Sequence, residues 1–284
     1  MPRNEISVSP QTAENYSLVR RVLAELVLVS ERLLDQVGGQ PTDSEQKDLA
    51  SRLFIKQVSH SQAILKVAPD YEGAPEGSEM RLDPASIAVL TRAVLETYLI
   101  MYHLCVESMA NEQYELRMDA WHYHDLRSRQ KGRRNANPQD PELPQFDQLV
   151  QAAWSKVEAH PDFASKSESF KKQVKKGRKP VFRSNEEIAV DAGVHKARYH
   201  DAYIHLSSFA HGGPLAMARL RDYYSQSDTI MRVMSDDMKT TLSYLCLGYL
   251  DFEKLAEPEK DEVPSQIRSV METWKAKMAE PLTP

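Results

Sequence analysis

Apolar residues recur three and four positions apart along most of this chain, the spacing that lines one face of an α-helix. Leu18, Val22, Leu23, Leu26, Leu33 and Leu34 predict a first helix over 11–37, stopped by Gly38 and Gly39. Leu49, Leu53, Phe54, Val58, Ile64 and Leu65 predict a second, with Thr42 or Asp43 as its cap and Pro69 at its end. Asp83-Pro84 then opens a third in the cap-then-proline order. That helix, over 84–109, is apolar around much of its circumference through Ile87, Val89, Leu90, Val94, Leu95, Leu99, Ile100, Met101 and Leu104. Such a helix belongs at the centre of a bundle. A fourth, over 111–134, is far more polar.

The pattern breaks over 135–185. A proline-rich linker over 135–144 precedes a short helix over 146–160, and residues 164–183 hold eight Lys or Arg against the single acid Glu168. Regular periodicity returns near Asn185, with helices over 194–210 and 228–255 and a short one possible after Pro214. A last helix, over 263–278, follows a charged linker. The sequence therefore predicts an all-α fold: one multi-helix bundle over 1–256, with a basic, partly irregular insertion at about 135–185. Residues 257–284 form a C-terminal linker and an appended helix.

Composition narrows the function classes. Only 10 glycines in 284 residues argue against a turn-rich β fold, and a net charge of −5 gives no global field toward nucleic acid or membrane. Any basic surface must be local. Cys105 and Cys246 each sit in an apolar helical pattern, which suits buried thiols in a reducing, cytoplasmic setting and cannot make a multi-cysteine zinc site. The first residues lack an apolar signal core, and no window holds eighteen uninterrupted apolar residues, so neither secretion nor a membrane span is expected.

Chemistry concentrates in RYHDAYIHLSSFAHGG, residues 198–213. With His195 just upstream, four of the nine histidines fall between 195 and 211. Histidine titrates near neutrality and so exchanges protons readily. At about 100° per residue, Arg198 and His205 nearly eclipse, while Tyr203, Ser207 and His211 form a second group on the other shoulder. Tyr199, Ala202, Leu206, Phe209 and Ala210 make the apolar arc between them. On the third helix Arg92 and Glu96 are i, i+4 neighbours. Their natural partners are polar groups of the 194–210 helix, either as a buried network that fixes register or as a ligand site.

Arg198-x6-His205 falls within the Arg-x(4–6)-His motif of the HEPN superfamily, which this chain resembles; Arg117-x4-His122 is a second match. A broader likeness spans 46–213. Arg92-Ala-Val-Leu-Glu96 and Tyr203-Ile-His-Leu-Ser207-Ser-Phe-Ala-His211-Gly212 resemble the paired motifs of an uncharacterised group of bacterial helical proteins. The resemblance implies a helical bundle that usually dimerises. It also implies a metal-independent ribonuclease, in a toxin or phage-defence system, with an antitoxin or defence protein as a further partner. Arg198 and His205 would then be catalytic, with Tyr203, Ser207 and His211 together with Arg92 and Glu96 as the alternative set. No cofactor is implied.

A neutral histidine can take the proton of a ribose 2′-hydroxyl while an arginine faces the charge that develops on phosphorus. For RNA contact the candidates are Lys171, Lys172, Lys175, Lys176, Arg178 and Lys179, with the basic run 127–134 as a second segment. His122 and His124 lie two apart and point to different sides, so no metal site is read from them. The competing reading is a non-catalytic helical module that binds RNA or protein through the basic insertion. In that reading Arg92, Glu96 and His211 are internal glue.

Overall fold

The computed structural model describes residues 8–38, 44–72, 82–178, 181–210, 213–224, 227–258 and 263–282. Among the described residues the chain is all-helical, with no strand. The helices are α1 (Pro10–Val37), α2 (Glu45–Val67), α3 (Pro84–Met101), α4 (Asn111–Ala136), α5 (Leu143–Ala159) and α6 (Pro161–Ala164). They continue as α7 (Glu168–Lys175), α8 (Asn185–Asp191), α9 (Lys196–Ala210), α10 (Pro214–Tyr224), α11 (Ser227–Ala256) and α12 (Ser265–Ala279). Two compact units result: Met1–Val106 with Asn185–Pro284, and Glu107–Ser184.

Helix starts follow side-chain capping. Ser9 accepts the Thr12 N–H at the head of α1, with Pro10 in the first turn, and Asp83 accepts the Ser86 N–H at the head of α3. The cap of α2 is Ser44, whose hydroxyl accepts the Lys47 N–H. Thr42 and Asp43, the residues expected there, lie outside the described residues. The third helix does not run to 109 as expected. It passes at Tyr102–Val106 into a π-helical turn, and the side chain of Gln46 donates to the Cys105 carbonyl at 2.5 Å. A π turn shifts hydrogen bonding to the fifth residue, and here a neighbouring helix supplies a donor to the turn.

The first unit is built around α3, which packs on α2, α9 and α11. That is why its apolar residues run around its circumference: Ile87, Val94, Leu95, Tyr98 and Leu99 are fully buried. By length and composition alone Pro84–Val106 would also suit a membrane span. Here the buried faces of neighbouring helices cover it. α11 contributes Met231, Met234, Met238 and Leu245, α1 contributes Tyr16 and Leu23, and α2 contributes Phe54 and Ile64. Polar ties fix the register. Thr91 and Thr241 share a hydrogen bond of 2.9 Å between α3 and α11, and Gln57 on α2 donates to the Tyr244 carbonyl at 2.8 Å. Gly248 admits that glutamine, because a Cβ there would overlap the Gln57 carboxamide. The helix expected as an appendage, α12, belongs to this unit: Met271 and Met278 are buried, and Arg268 pairs with both carboxylate oxygens of Glu253 at 2.5 and 2.7 Å.

The second unit has its own core of Leu116, Tyr123, Val150, Trp154, Phe163 and Val174. It starts at Glu107 and so takes in all of α4, earlier than the insertion boundary near 135. The reason is packing: the sparse apolar stripe of α4 needs the cover that α5 and α6 supply. The basic stretch after 164 is more regular than its composition suggests. Ser167 caps α7, and Val174 and Phe170 anchor that helix on the core.

Leu95→Ala is expected to lower the free energy of unfolding by about 2–5 kcal/mol, and Gly248→Ala by about 1–3 kcal/mol through overpacking. Val89→Ala, at an exposed position, should stay within about 0.5 kcal/mol of wild type. Urea unfolding of the three variants reads this directly. A loss below about 1 kcal/mol at Leu95 would remove α3 from the centre of the unit.

Candidate functional site

α9 buries Tyr199, Leu206 and Phe209, which leaves its two polar shoulders in different surroundings. On one, Arg198 and His205 line a cavity of about 560 Å³ together with Asp201, Arg219, Tyr223 and Asp237. His205 Nε2 lies 3.0 Å from Asp237 Oδ1, and the Asp237 side chain is 3% exposed. In the neutral ring, a nitrogen facing a carboxylate carries the proton and Nδ1 is the acceptor. Arg219 Nη1 donates to Ser208 Oγ at 2.7 Å and stands 3.4 Å from Nδ1. The second distance is at the long edge of hydrogen bonding, so the Nδ1 lone pair is loosely held beside a guanidinium.

Asp237 is fixed through its backbone: its carbonyl accepts from Thr241 at 3.1 Å and from Thr91 at 3.4 Å. Its Oδ2 is buried with no hydrogen-bond partner among the described residues. Burial pushes the Asp237 carboxyl above the usual carboxylate range, against a downward pull from the His205 hydrogen bond. The Arg198 guanidinium is held by the segment after α12. Its Nε donates to the Glu280 carbonyl at 2.6 Å and its Nη2 to the Pro281 carbonyl at 3.3 Å. Arg198 and His205 therefore share a cavity, but the guanidinium beside the imidazole is that of Arg219.

The other shoulder carries a separate cluster. Arg92 Nε donates to Glu96 Oε1 at 2.9 Å, and Arg92 Nη2 reaches the Tyr203 hydroxyl at 3.3 Å. The same guanidinium lies 5.1 Å from the Tyr203 ring centre, and Tyr203 stacks on Tyr199. Arg92 and Glu96 are half-buried, at 21% and 38% exposure. Ser207 Oγ is buried without a partner among the described residues, and His211 lies outside them. None of Arg92, Glu96, Tyr203 or Ser207 lines the cavity. The remaining motif histidines are peripheral to it: His195 Nδ1 accepts the Ala197 N–H at the head of α9, and His200 is exposed.

In the second unit Lys171 pairs with Glu168, Lys175 lies over the Trp154 ring, and Lys172 is exposed. Lys176 and Arg178 line a groove of about 480 Å³ with Arg127 and Lys131. Lys179 lies outside the described residues. The structure thus joins parts of the two basic runs that the sequence keeps apart. Among the described residues no group of three His, Cys, Asp or Glu side chains is placed to hold a metal ion.

Asp237 and Arg219 escape a reading of the sequence alone. Arg219 carries no local signal. Asp237 carries one: it falls at i, i+4 and i+8 with Thr241 and Leu245, on the stripe of α11 that faces the core. A carboxylate there is out of place unless something meets it.

Fold and site define an all-helical protein with a histidine–aspartate pair in an open cavity of its first unit. The chain belongs to a family of unknown function (DUF5677), whose model matches residues 47–229. No curated protein and no solved structure matches it.

A raised Asp237 pKa has a definite sign in stability. The unfolded carboxyl titrates near about 3.9 and the folded one higher, so the folded chain binds more protons in that window and loses stability as pH rises through it. Asp237→Asn removes that loss. Denaturation curves taken from about pH 4 to about pH 7 should show the variant gaining on wild type as pH rises. A variant that is less stable by the same amount at every pH would mean that the carboxylate is not penalised by burial.

Proposed function

We propose that the first unit is a metal-independent endoribonuclease in which His205 moves the proton. The observation that carries this reading is the His205–Asp237 pair, which lines a cavity with Arg219 beside the His205 Nδ1. His205 Nδ1 takes the proton of a ribose 2′-hydroxyl as that oxygen bonds to the adjacent phosphorus. The bond from phosphorus to the 5′-oxygen breaks, and His205 returns the proton to the departing oxygen. A 2′,3′-cyclic phosphate and a 5′-hydroxyl result. Asp237 holds the ring in its tautomer and stabilises the imidazolium, and Arg219 faces the phosphorane oxygens. Arg198 adds a cation whose partners among the described residues are neutral carbonyls, so its charge remains available to an anion. A cavity of about 560 Å³ falls within the usual range of ligand sites, about 300–1,000 Å³.

The resemblance to HEPN proteins supports the same chemistry through Arg198 and His205, with Arg219 as the closer arginine. It brings with it a homodimer, which sedimentation velocity would detect, and a toxin or defence setting with a protein partner. The alternative is a non-catalytic module in which the pair only ties α9 to α11. It is favoured by one observation: Arg198 donates to two carbonyls of the C-terminal segment.

Truncating His205 to alanine would strand a buried carboxylate, which also costs stability. The cleaner variant is His205→Gln, whose amide can still donate to Asp237 but cannot take up the proton. With labelled RNA in EDTA, cleavage should fall by about 10²–10⁴-fold in His205→Gln while the melting temperature stays close to wild type. Undiminished cleavage in that variant, or no cleavage of RNA by the wild type, would leave the binding module standing.

A further inference from the structure

We infer that the groove lined by Arg127, Lys131, Lys176 and Arg178 binds the phosphodiester backbone of RNA; the choice of RNA over other polyanions rests on the ribonuclease reading. The first ground is how the second unit distributes its arginines. It has seven. Arg117 and Arg183 pair with Glu107, Arg129 with Asp125, Arg133 with Asp140 and Glu142, and Arg134 with Asp147. The two with no carboxylate partner among the described residues are Arg127 and Arg178, and both line this groove. Arg127 donates to the neutral side-chain oxygen of Gln130, whose amide in turn donates to Asp147. Lys131 and Lys176 have no ion pair among the described residues either. Like charges at i, i+4, as Arg127 and Lys131 are, repel unless an anion lies between them.

The second ground is that the groove is built rather than incidental. The turn after α7 is pinned to α4: the Tyr123 hydroxyl donates to the Lys175 carbonyl, and Val174 is buried in the core. Gly177 has φ +65°, and a Cβ there would meet Arg127 Cγ at 2.8 Å. Glycine therefore lets the turn close on the arginine stem and sets Lys176 and Arg178 beside Arg127.

The lining also selects the ligand. Besides the four cations it contains Ser128, Asn135, Gly132 and Gly177. Among the described lining residues there is no carboxylate to repel phosphate and no aromatic ring on which a base would stack, so the groove reads charge spacing and not sequence. The described lining residues offer no apolar side chain to enter a lipid layer, which argues against an anionic membrane surface. Four phosphate contacts on a single strand correspond to a slope of about −3 in log affinity against log salt.

The test uses the full chain carrying His205→Gln and a fluorescein-labelled single-stranded RNA of about 16 nucleotides, read by anisotropy. Lys176→Gln/Arg178→Gln should weaken binding at least about tenfold at low salt and lower the salt slope by about 1.4. Lys156→Gln/Lys166→Gln, which changes net charge equally at exposed lysines outside the groove, should leave affinity within about twofold. Gly177→Ala, which keeps every cation but displaces Arg127, should also weaken binding. Equal losses in both lysine and arginine pairs, or unaltered binding in the groove variants, would overturn the site and leave the ribonuclease reading untouched. Binding to phosphatidylserine vesicles through the groove, without RNA binding, would also overturn it. If groove variants lose RNA while His205→Gln still cleaves, the groove stands and the ribonuclease assignment falls.

Discussion

Placing a carboxylate on the core-facing stripe of α11 imposes requirements on three other helices. An ionised group taken from water into the interior costs several kcal/mol, to be offset by geometry and hydrogen bonds. α9 answers with His205 Nε2 at 3.0 Å, α3 holds the Asp237 backbone through Thr91, and α10 brings Arg219 beside the far side of the imidazole. The answer is incomplete, since Oδ2 has no partner among the described residues. A purely structural tie between α9 and α11 would be served as well by apolar side chains, because well-packed apolar replacements of buried ion pairs are often neutral or stabilising. An under-satisfied carboxylate behind a histidine in an open cavity is an arrangement that orients an imidazole.

The same packing explains why Arg92, Glu96 and Tyr203 play a different part. They meet on the opposite shoulder of α9, where the guanidinium is shared between a carboxylate and an aromatic face. Arg92, Glu96 and Tyr203 are partners of one another, and none of the three lines the cavity. Such a cluster fixes how α9 rotates against α3, which in turn sets the direction in which His205 points. α9 therefore joins a positioning element to a candidate reactive one on a single helix.

The helices were legible because amphipathic periodicity is a local property, and the capping residue Asp83 acts on a neighbour three positions away. What escaped depends on distant chain. The end of α3 is a π turn that contacts Gln46, some sixty residues earlier, and α12 is recruited by Glu253 and the underside of α11. The site divides in the same way. Arg198 and His205 were visible as residues seven apart on one helix, and their shared cavity follows from that spacing. Asp237 and Arg219 approach His205 only through tertiary packing, so the arginine nearest the imidazole was not the one that the motif named.

The second unit shows how charge distribution separates structure from binding. Its paired arginines lie mostly near Asp or Glu in sequence or on the next helix, and exposed pairs of this kind contribute little each. They also cancel much of the field that the basic composition would otherwise produce. Among the described residues, the two arginines left without a carboxylate, Arg127 and Arg178, are gathered with Lys131 and Lys176 where α4 meets the turn at Gly177. Net charge could not show this, because −5 over the whole chain averages a locally basic groove with acidic surface elsewhere. Composition counts charges, whereas binding depends on which of them the fold leaves without a counter-ion. In this chain the fold leaves cations together in one groove and a carboxylate under-satisfied behind one histidine, and these two imbalances are where ligand and chemistry are to be sought.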